Sequence, residues 1–313
     1  MESKSIARLA SWTAALAGST TTLLRCACAA LFLGRAWQHI FIAPPYRPIL
    51  YSQSLMENFV LKVFGMDWTT WATSPVVEAN LKLSSQCIGV FLVLCAVASL
   101  MANPRRIWAQ VFLGLGAAVL ATIAFAVYRD KMLRVGELFE LACAVSAPIA
   151  LFLATRHEIG RDLLLRIWLS VAVAATFAGH GLYAVGFYPR FGEWVTMVMT
   201  ILHFSEANAA HFLFAAGILD FLVAIGIFIP RLRTTAAVYA AIWGFLTAFA
   251  RIAANVTLEN FHESSIFWIP EALIRLPNFL LPVAIVGFLI HARRTAPAMR
   301  PTHFAGAQAT AQP

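Results

Sequence analysis

The sequence contains little charge. Its 23 Lys and Arg and 15 Asp and Glu residues make up 12% of the chain, whereas about a quarter of the residues in a soluble domain are charged. Hydrophobic residues make up 60%, and the mean hydropathy is +0.76. This composition excludes a soluble globular protein, and it excludes a nucleic-acid-binding protein because such a protein needs a solvated basic face. It predicts an integral membrane protein whose main partner is the lipid bilayer.

Cysteine and the common cofactor motifs are also scarce. The five cysteines lie inside apolar segments and form no CxxC pair, which argues against a disulfide framework and against a zinc site. The chain has no GxGxxG, P-loop, GxSxG or CxxCH motif, so nucleotide, acyl-transfer and c-type haem chemistry have no support. No metal site is predicted, since His180, His203 and Glu206 come from separate segments without a ligand spacing such as HExxH.

Long apolar runs, in contrast, are frequent. They are continuously apolar and do not alternate with a period of two, so they predict helices rather than barrel strands. The predicted fold class is therefore all-α, a polytopic integral membrane protein with eight transmembrane helices. The spans lie near residues 17–41, 82–101, 107–127, 138–154, 163–184, 207–229, 234–254 and 272–291.

The distribution of Lys and Arg predicts the orientation. The length of the first span and its internal Arg25 favour a retained span over a cleaved signal peptide. Eleven Lys and Arg residues fall in the termini and loops of one side and seven in the longer segments of the other. Because positive residues concentrate on the cytoplasmic side, both termini are expected in the cytoplasm of a bacterium, at its inner membrane. Residues 1–16 would be a cytoplasmic N-terminus and 295–313 a disordered cytoplasmic tail.

An internal repeat organises the polar residues. Arg25 precedes His39 by fourteen residues, and Arg166 precedes His180 by the same spacing. We therefore divide the chain into two four-helix membrane units, 17–156 and 160–294. Each unit has an even number of spans, so the two share one orientation and form a parallel repeat. Matches in the same order are Glu-Ala-Asn at 78 and 206, Pro-Arg at 104 and 230, Ala-Phe-Ala at 124 and 248, Arg129 with Arg251, and Glu137 with Glu271.

In this topology the repeated polar side chains fall at the outer ends of their helices. Each unit would present one histidine, two carboxylates and one arginine at its extracytoplasmic mouth, in reach of one another if the four helices pack together. The alternative is that these charges only cap the helices and anchor them at the membrane interface. The candidates are His39, Glu78, Arg129 and Glu137 in the first unit and His180, Glu206, Arg251 and Glu271 in the second.

The second unit carries additional polar residues. Asp220 lies in the middle of an apolar run, where an ionised carboxylate costs roughly 2.5–3.5 kcal/mol and usually faces a partner. His203 and Glu206 form a titratable pair at the outer mouth, with Tyr183 nearby in the topology. The mouth of the second unit is therefore the preferred site. Asp220 would be a proton acceptor below it or the partner of Arg166, Arg25 or Arg251.

Two aromatic outer segments, residues 42–75 and 187–205, mix Trp, Tyr and Phe with a few polar residues. This pattern is typical of amphipathic helices that lie on the outer leaflet. Interfacial anchoring is one interpretation of these segments. A lid over a binding site is the other.

The repeated unit resembles the DoxX/DoxD-like superfamily of small membrane proteins. The resemblance depends on a Leu-Leu-Arg sequence at the start of the unit, on Gln38-His39 or Gly179-His180 near the end of its first helix, and on a glutamate at the start of its fourth helix. It implies membrane redox chemistry, either quinone-dependent sulfur-compound oxidation or the maturation of periplasmic redox enzymes, with a quinone as the ligand. The residues implied are His39 and His180 as head-group donors, Glu206 and Glu271 as proton carriers, and Arg251 as the partner of the anionic form.

Two other functions stay open. Parallel repeats, glycine-rich helix ends and fourth helices broken by Pro148, Pro277 and Pro282 also fit a transporter or carrier of a small molecule or lipid. A non-catalytic assembly protein would instead bind a membrane or periplasmic protein partner. The sequence leaves undecided whether the chain is an enzyme.

Overall fold

The computed structural model describes residues 20–43, 45–156 and 159–295, with no side-chain detail for 159–162 and 291–295. Within those ranges the chain is helical and contains no strand, which confirms the all-α prediction. The predicted cytoplasmic N-terminus and nearly all of the predicted tail lie outside the described residues. The helices are α1 Thr20–Phe41, α2 Arg47–Leu50, α3 Gln53–Phe64, α4 Trp68–Thr73, α5 Pro75–Leu100, α6 Ile107–Asp130, α7 Val135–Glu140, α8 Ala142–Ala154, α9 Ile159–Ala184, α10 Gly192–Leu202, α11 Glu206–Gly226, α12 Arg233–Asn255 and α13 Phe261–Thr295.

Seven helical segments of the described chain are long and apolar enough to cross a membrane. This confirms a multi-pass membrane protein. Helix α1 occupies the first predicted span but carries Arg25 and Arg35 in its apolar run, and it is not among the seven. The seven segments are Pro75–Leu100, Ile107–Asp130, Val135–Ala154, Leu163–Ala184, Glu206–Gly226, Arg233–Asn255 and Phe261–Ile290.

Each half of the chain packs its first helix against the last helix of the other half. Helix α1 packs against α5 of its own half and against α13, and α9 packs against α11 of its own half and against α7 and α8. The shared core contains fully buried Leu31, Phe32, Leu169 and Leu281, with many alanines between them. Small residues let helices approach closely in a membrane, where burial from water does not drive helix association.

The ends of α1 lie beside different parts of the chain. Near its start, the Arg25 Nη2 atom donates to the carbonyl oxygen of Ala102 in the α5–α6 turn, at 2.6 Å. Near its end, the His39 Nε2 atom lies 2.9 Å from the Tyr46 hydroxyl. The arginine and the histidine are therefore at opposite ends of the helix.

A break between α7 and α8 at Leu141 interrupts the span Val135–Ala154. The amide of Cys143, in the first turn of α8, donates to the Thr176 hydroxyl of α9 at 2.9 Å. Helix α9 thus satisfies one of the amides that a helix start leaves free. The same contact fixes the position of Glu140, the last residue of α7.

Short helices form the two outer segments. In the first, the Asp67 carboxylate caps α4 by accepting from the Thr70 amide at 2.9 Å, and the Thr70 hydroxyl and amide lower the pKa of Asp67 by hydrogen bonding to it. Val60 and Trp71 of this segment form a small separate cluster with Val77 of α5. In the second segment, α10 packs against α11 and α12.

Helices α12 and α13 approach each other closely at Gly244, so we predict that Gly244→Ala destabilises the protein. A Cβ atom on this residue would lie 2.7 Å from the carbonyl carbon of Asn278 and would overlap its oxygen. The two helix backbones would have to separate, and overpacking of this kind costs about 1–3 kcal/mol. Thermal unfolding in detergent should show a midpoint several degrees lower.

The matched control is Gly114→Ala. Gly114 lies inside α6, and a Cβ atom there would have no neighbour within 4 Å in the part of the chain that the structure describes. Alanine favours a helix over glycine by up to about 1 kcal/mol, so this variant should keep or raise the midpoint. Equal midpoints for the two variants would contradict the close contact at Gly244.

Candidate functional site

A cavity of about 350 Å³ lies in the C-terminal half, bounded by α9, α10, α11, α12 and α13. Its walls are mostly apolar and include the rings of Trp194, Phe212 and Trp243. A largely apolar cavity of this size with a few polar groups is typical of small-molecule sites. The polar side chains on its walls are His180, Asp220, Thr247, Arg251, Arg275 and Asn278.

Helix α10 covers one side of this cavity. Trp194, Met197, Val198 and Ile201 line the cavity, and their spacing of three, four and seven residues places them on one face of the helix. The second outer segment is therefore part of the cavity wall, as a lid requires.

Asp220 is the most isolated polar group on the wall. Its exposed fraction is 2%, and within the described residues its Oδ1 atom has no hydrogen-bond partner. A buried polar oxygen without a partner is destabilising by about 1–3 kcal/mol. Buried groups of this kind are uncommon in proteins.

His180 pairs with a carboxylate from the other half of the chain. Its Nε2 atom lies 3.3 Å from a carboxylate oxygen of Glu140, and both side chains are about one-eighth exposed, at 13% and 12%. The imidazole ring also meets the Trp194 ring edge to face, with centroids 5.7 Å apart. Glu140 therefore orients His180, while Trp194 and His180 line the same cavity.

Arg251 also lines the cavity and is buried, with an exposed fraction of 5%. Its Nη1 atom donates to the Thr247 carbonyl oxygen at 2.8 Å. Arg275, Glu271, Glu140 and Glu193 all act on it electrostatically. The two arginines line the cavity, whereas the three glutamates do not.

Glu271 joins α13 to α1. It accepts from the Gln38 side-chain amide at 2.6 Å and forms an ion pair with Arg275, one turn further along α13. Gln38 also accepts from the Arg35 Nη1 atom at 2.9 Å. A second, more polar cavity of about 370 Å³ lies beside this network, lined by Gln38, Ile42, Glu193, Phe267, Trp268 and Glu271.

Glu137 and Tyr183 form a fully buried pair one turn from His180. The Tyr183 hydroxyl donates to a Glu137 carboxylate oxygen at 2.7 Å, and the exposed fractions are 0% for Tyr183 and 4% for Glu137. The Tyr183 ring packs against Phe191, with centroids 4.5 Å apart. This pair joins α7 to α9 and is not part of the cavity wall.

The predicted residues of the N-terminal half lie elsewhere. The buried His39 side chain contacts Tyr46, and burial raises the pKa of the Tyr46 hydroxyl to about 12, so this hydroxyl stays neutral. Glu78 pairs with Arg47 and accepts from Tyr51. In the same region, the Arg129 Nη2 atom donates to the Ser52 hydroxyl at 2.9 Å. All three residues therefore connect the spans to the first outer segment.

Two predicted residues of the C-terminal half are exposed. His203 ends α10 in the left-handed conformation, with φ of 55°, and Glu206 is in the first turn of α11. Neither lines the cavity, whose wall at this end is formed by Ile201 and Leu202. His180, Asp220 and Arg251 are therefore the predicted residues that the structure brings together at the cavity.

Sequence reasoning missed four residues of the site, namely Glu140, Arg275, Trp194 and Trp243. Glu140 is three residues after Glu137, and Arg275 is four after Glu271. Helical periodicity therefore places each of them on the same helix face as a glutamate that the internal repeat had indicated. The two tryptophans carry no signal of this kind, because aromatic residues are common at membrane interfaces.

The buried pair gives a prediction on stability. Tyr183→Phe removes the donor from Glu137 and leaves a buried carboxylate unpaired, so unfolding in detergent should become easier by about 1.5–3 kcal/mol. Tyr51→Phe is the matched control because it removes the same kind of bond from Glu78. Glu78 is 43% exposed and keeps Arg47, so the loss there should stay below about 1 kcal/mol. Equal losses of stability in the two variants would show that burial of Glu137 does not strengthen the effect.

Among the described residues, no group of three or more His, Cys, Asp or Glu side chains is placed to hold a metal ion. No protein-family model, curated protein or solved structure matches the chain. The function is therefore inferred from the geometry of the cavity and from the polar groups on its walls.

Proposed function

We propose that the protein binds a small lipid-soluble molecule with a polar head group in the cavity between α9 and α13. The observation that carries the proposal is a mostly apolar cavity lined by Asp220, whose buried Oδ1 atom has no hydrogen-bond partner among the described residues. Apolar walls bind the body of a ligand through burial, and a few polar groups orient its head. The proposal concerns binding and assigns no reaction to the site.

Three wall residues with exposed side chains support entry from the lipid. Leu202, Leu246 and Phe249 line the cavity, and each of these side chains is also exposed on the outside of the helix bundle. In a multi-pass membrane protein such an apolar exterior faces acyl chains. A ligand dissolved in the bilayer would reach the cavity without crossing water.

Quinones are the ligand class implied by the resemblance to DoxX-like proteins. The cavity supports this class, because the Trp194, Phe212 and Trp243 rings suit an aromatic head and His180 and Arg251 supply donors for its oxygens. The exposed Glu206 and the structural role of His39 remove these two residues from the proposed head-group site. Under this proposal the protein is accessory to membrane redox chemistry and works with a membrane or periplasmic protein.

Transport of the same kind of molecule is the second candidate. Helix α13 contains Pro270, Pro277 and Pro282, and each proline removes a backbone hydrogen bond and favours bending. Asp220 would then be the group that binds or releases a proton during transport. Accumulation of a quinone analogue in proteoliposomes, lost in Asp220→Asn, would favour transport over an accessory role.

The full topology belongs to the same proposal. We propose that α1 is an eighth span and that the halves 17–156 and 160–294 form a parallel repeat in a bacterial inner membrane. The packing of α1 against α13 and of α9 against α7 and α8 supports the repeat, because the two halves make corresponding contacts. Both termini would then be cytoplasmic.

A reporter protein that folds only in the cytoplasm tests this topology. Eight spans place both termini on one side, so separate fusions at the N-terminus and at the C-terminus should both be active. Seven spans would place the termini on opposite sides. Activity of only one of the two fusions would contradict the eighth span.

A bulky side chain on the cavity wall should abolish ligand binding. Ala216 lines the cavity and is 6% exposed, so Ala216→Phe would fill space that the ligand needs. Quinones quench nearby tryptophans, and Trp194 and Trp243 both line the cavity. Titration of the purified protein with a short-chain quinone analogue should therefore give saturable quenching that this variant loses, with affinity at least tenfold weaker.

The control is the same substitution at the next residue. Ala215 lies on α11 but is exposed and does not line the cavity. Ala215→Phe should quench as the unaltered protein does. Equal quenching curves for Ala216→Phe and Ala215→Phe would show that binding occurs outside the cavity.

A further inference from the structure

The carboxyl group of Asp220 restricts the chemistry of any ligand in the cavity. Its Oδ1 atom is buried and has no hydrogen-bond partner in the described part of the chain. Whether the carboxyl is ionised or protonated, it keeps an oxygen that accepts a hydrogen bond. A ligand that donates to this carboxyl group gives it the partner that it lacks, whereas a ligand with acceptors only does not.

The charges on the same walls restrict the ligand further. Arg251 and Arg275 line the cavity together with Asp220, so a cationic donor such as an ammonium group would meet two guanidinium groups. An anionic ligand would meet the Asp220 carboxyl group. A neutral donor avoids both repulsions, and the neutral donor most common on lipid-soluble molecules is a hydroxyl group.

The shape of the cavity favours an aromatic ring beside that hydroxyl group. The rings of Trp194, Phe212 and Trp243 lie on the walls, and aromatic rings pair favourably in offset or edge-to-face arrangements. The volume of about 350 Å³ is at the lower end of the range for small-molecule sites. It suits one ring with a short alkyl chain rather than a whole phospholipid.

We infer that the cavity selects a neutral, lipid-soluble molecule with a hydroxyl group, such as a phenol or hydroquinone, which donates a hydrogen bond to Asp220. The inference rests on the proposed function and adds the chemical class of the ligand. It separates this class from ethers of the same shape, which have only acceptors. His180, held by Glu140, and Arg251 then face the rest of the head group.

A pair of probes that differ only in the donor tests this inference. The probes are 4-butylphenol and its methyl ether, 4-butylanisole, and each is titrated into the full-length protein in nanodiscs with tryptophan fluorescence as the readout. The phenol should bind at least about tenfold more tightly than the ether, as expected for a hydrogen bond to a carboxyl oxygen. The partition of each probe into empty nanodiscs is measured and subtracted.

Variants at Asp220 test whether this residue causes the preference for the phenol over the ether. Asp220→Leu should remove the preference for the phenol, because a leucine side chain neither accepts nor donates a hydrogen bond. Comparing both probes on both proteins cancels the different solubility of the probes in lipid. Asp220→Asn is the second variant, in case leucine prevents folding. Its amide also donates to the ether oxygen, so the preference should fall several-fold. Asp67→Asn, the same change at the capping residue of α4, should keep the full preference.

The results separate the inference from the proposed function. Equal affinities for the two probes in the unaltered protein, or a preference that persists in both Asp220 variants, would overturn the selection of a hydroxyl group but leave binding in the cavity intact. No saturable binding of either probe or of the quinone analogue would overturn both.

Discussion

The close approach of Gly179 to the backbone at the α7–α8 break is the contact on which the site depends. A Cβ atom on Gly179 would lie 2.5 Å from the Glu140 amide nitrogen and 2.9 Å from the Gly136 carbonyl oxygen. Without a side chain there, α9 comes near enough for His180 to reach Glu140 and for Tyr183 to reach Glu137. Two carboxylates of the first half thus gain polar partners from side chains of the second. Their burial would otherwise be destabilising.

The cavity follows from the way the remaining helices pack. Helix α12 is held close to α13 at Gly244, and α9 is held close to α11, where a Cβ atom on Gly217 would meet Ala184 and Val185. Space remains between these two pairs, and α10 covers it. The polar groups reach the cavity from positions that the tight contacts fix. A preorganised site of this kind needs little rearrangement to bind its ligand.

The sequence predicted the all-α class, and seven of its eight spans agree with the structure, because the apolar runs alone determine them. It also selected His180, Asp220 and Arg251, whose polarity inside apolar segments is conspicuous. It could not predict that His180 pairs with Glu140 of the other half, since the order in which helices pack is a tertiary property and the repeat suggested partners within one half. Nor could it separate Asp220 on a cavity wall from Glu206 on the surface, because both are carboxylates on the same helix.

The central claim is that a lipid-soluble molecule occupies the cavity in the C-terminal half. Photo-crosslinking with a short alkylphenol that carries a diazirine tests it most directly, with the labelled residues identified by mass spectrometry. We expect saturable labelling confined to wall residues such as Met197, Ala216 and Ala250, reduced by an excess of unlabelled phenol. Labelling spread evenly over exposed residues of α5 and α6, and unaffected by competitor, would contradict it.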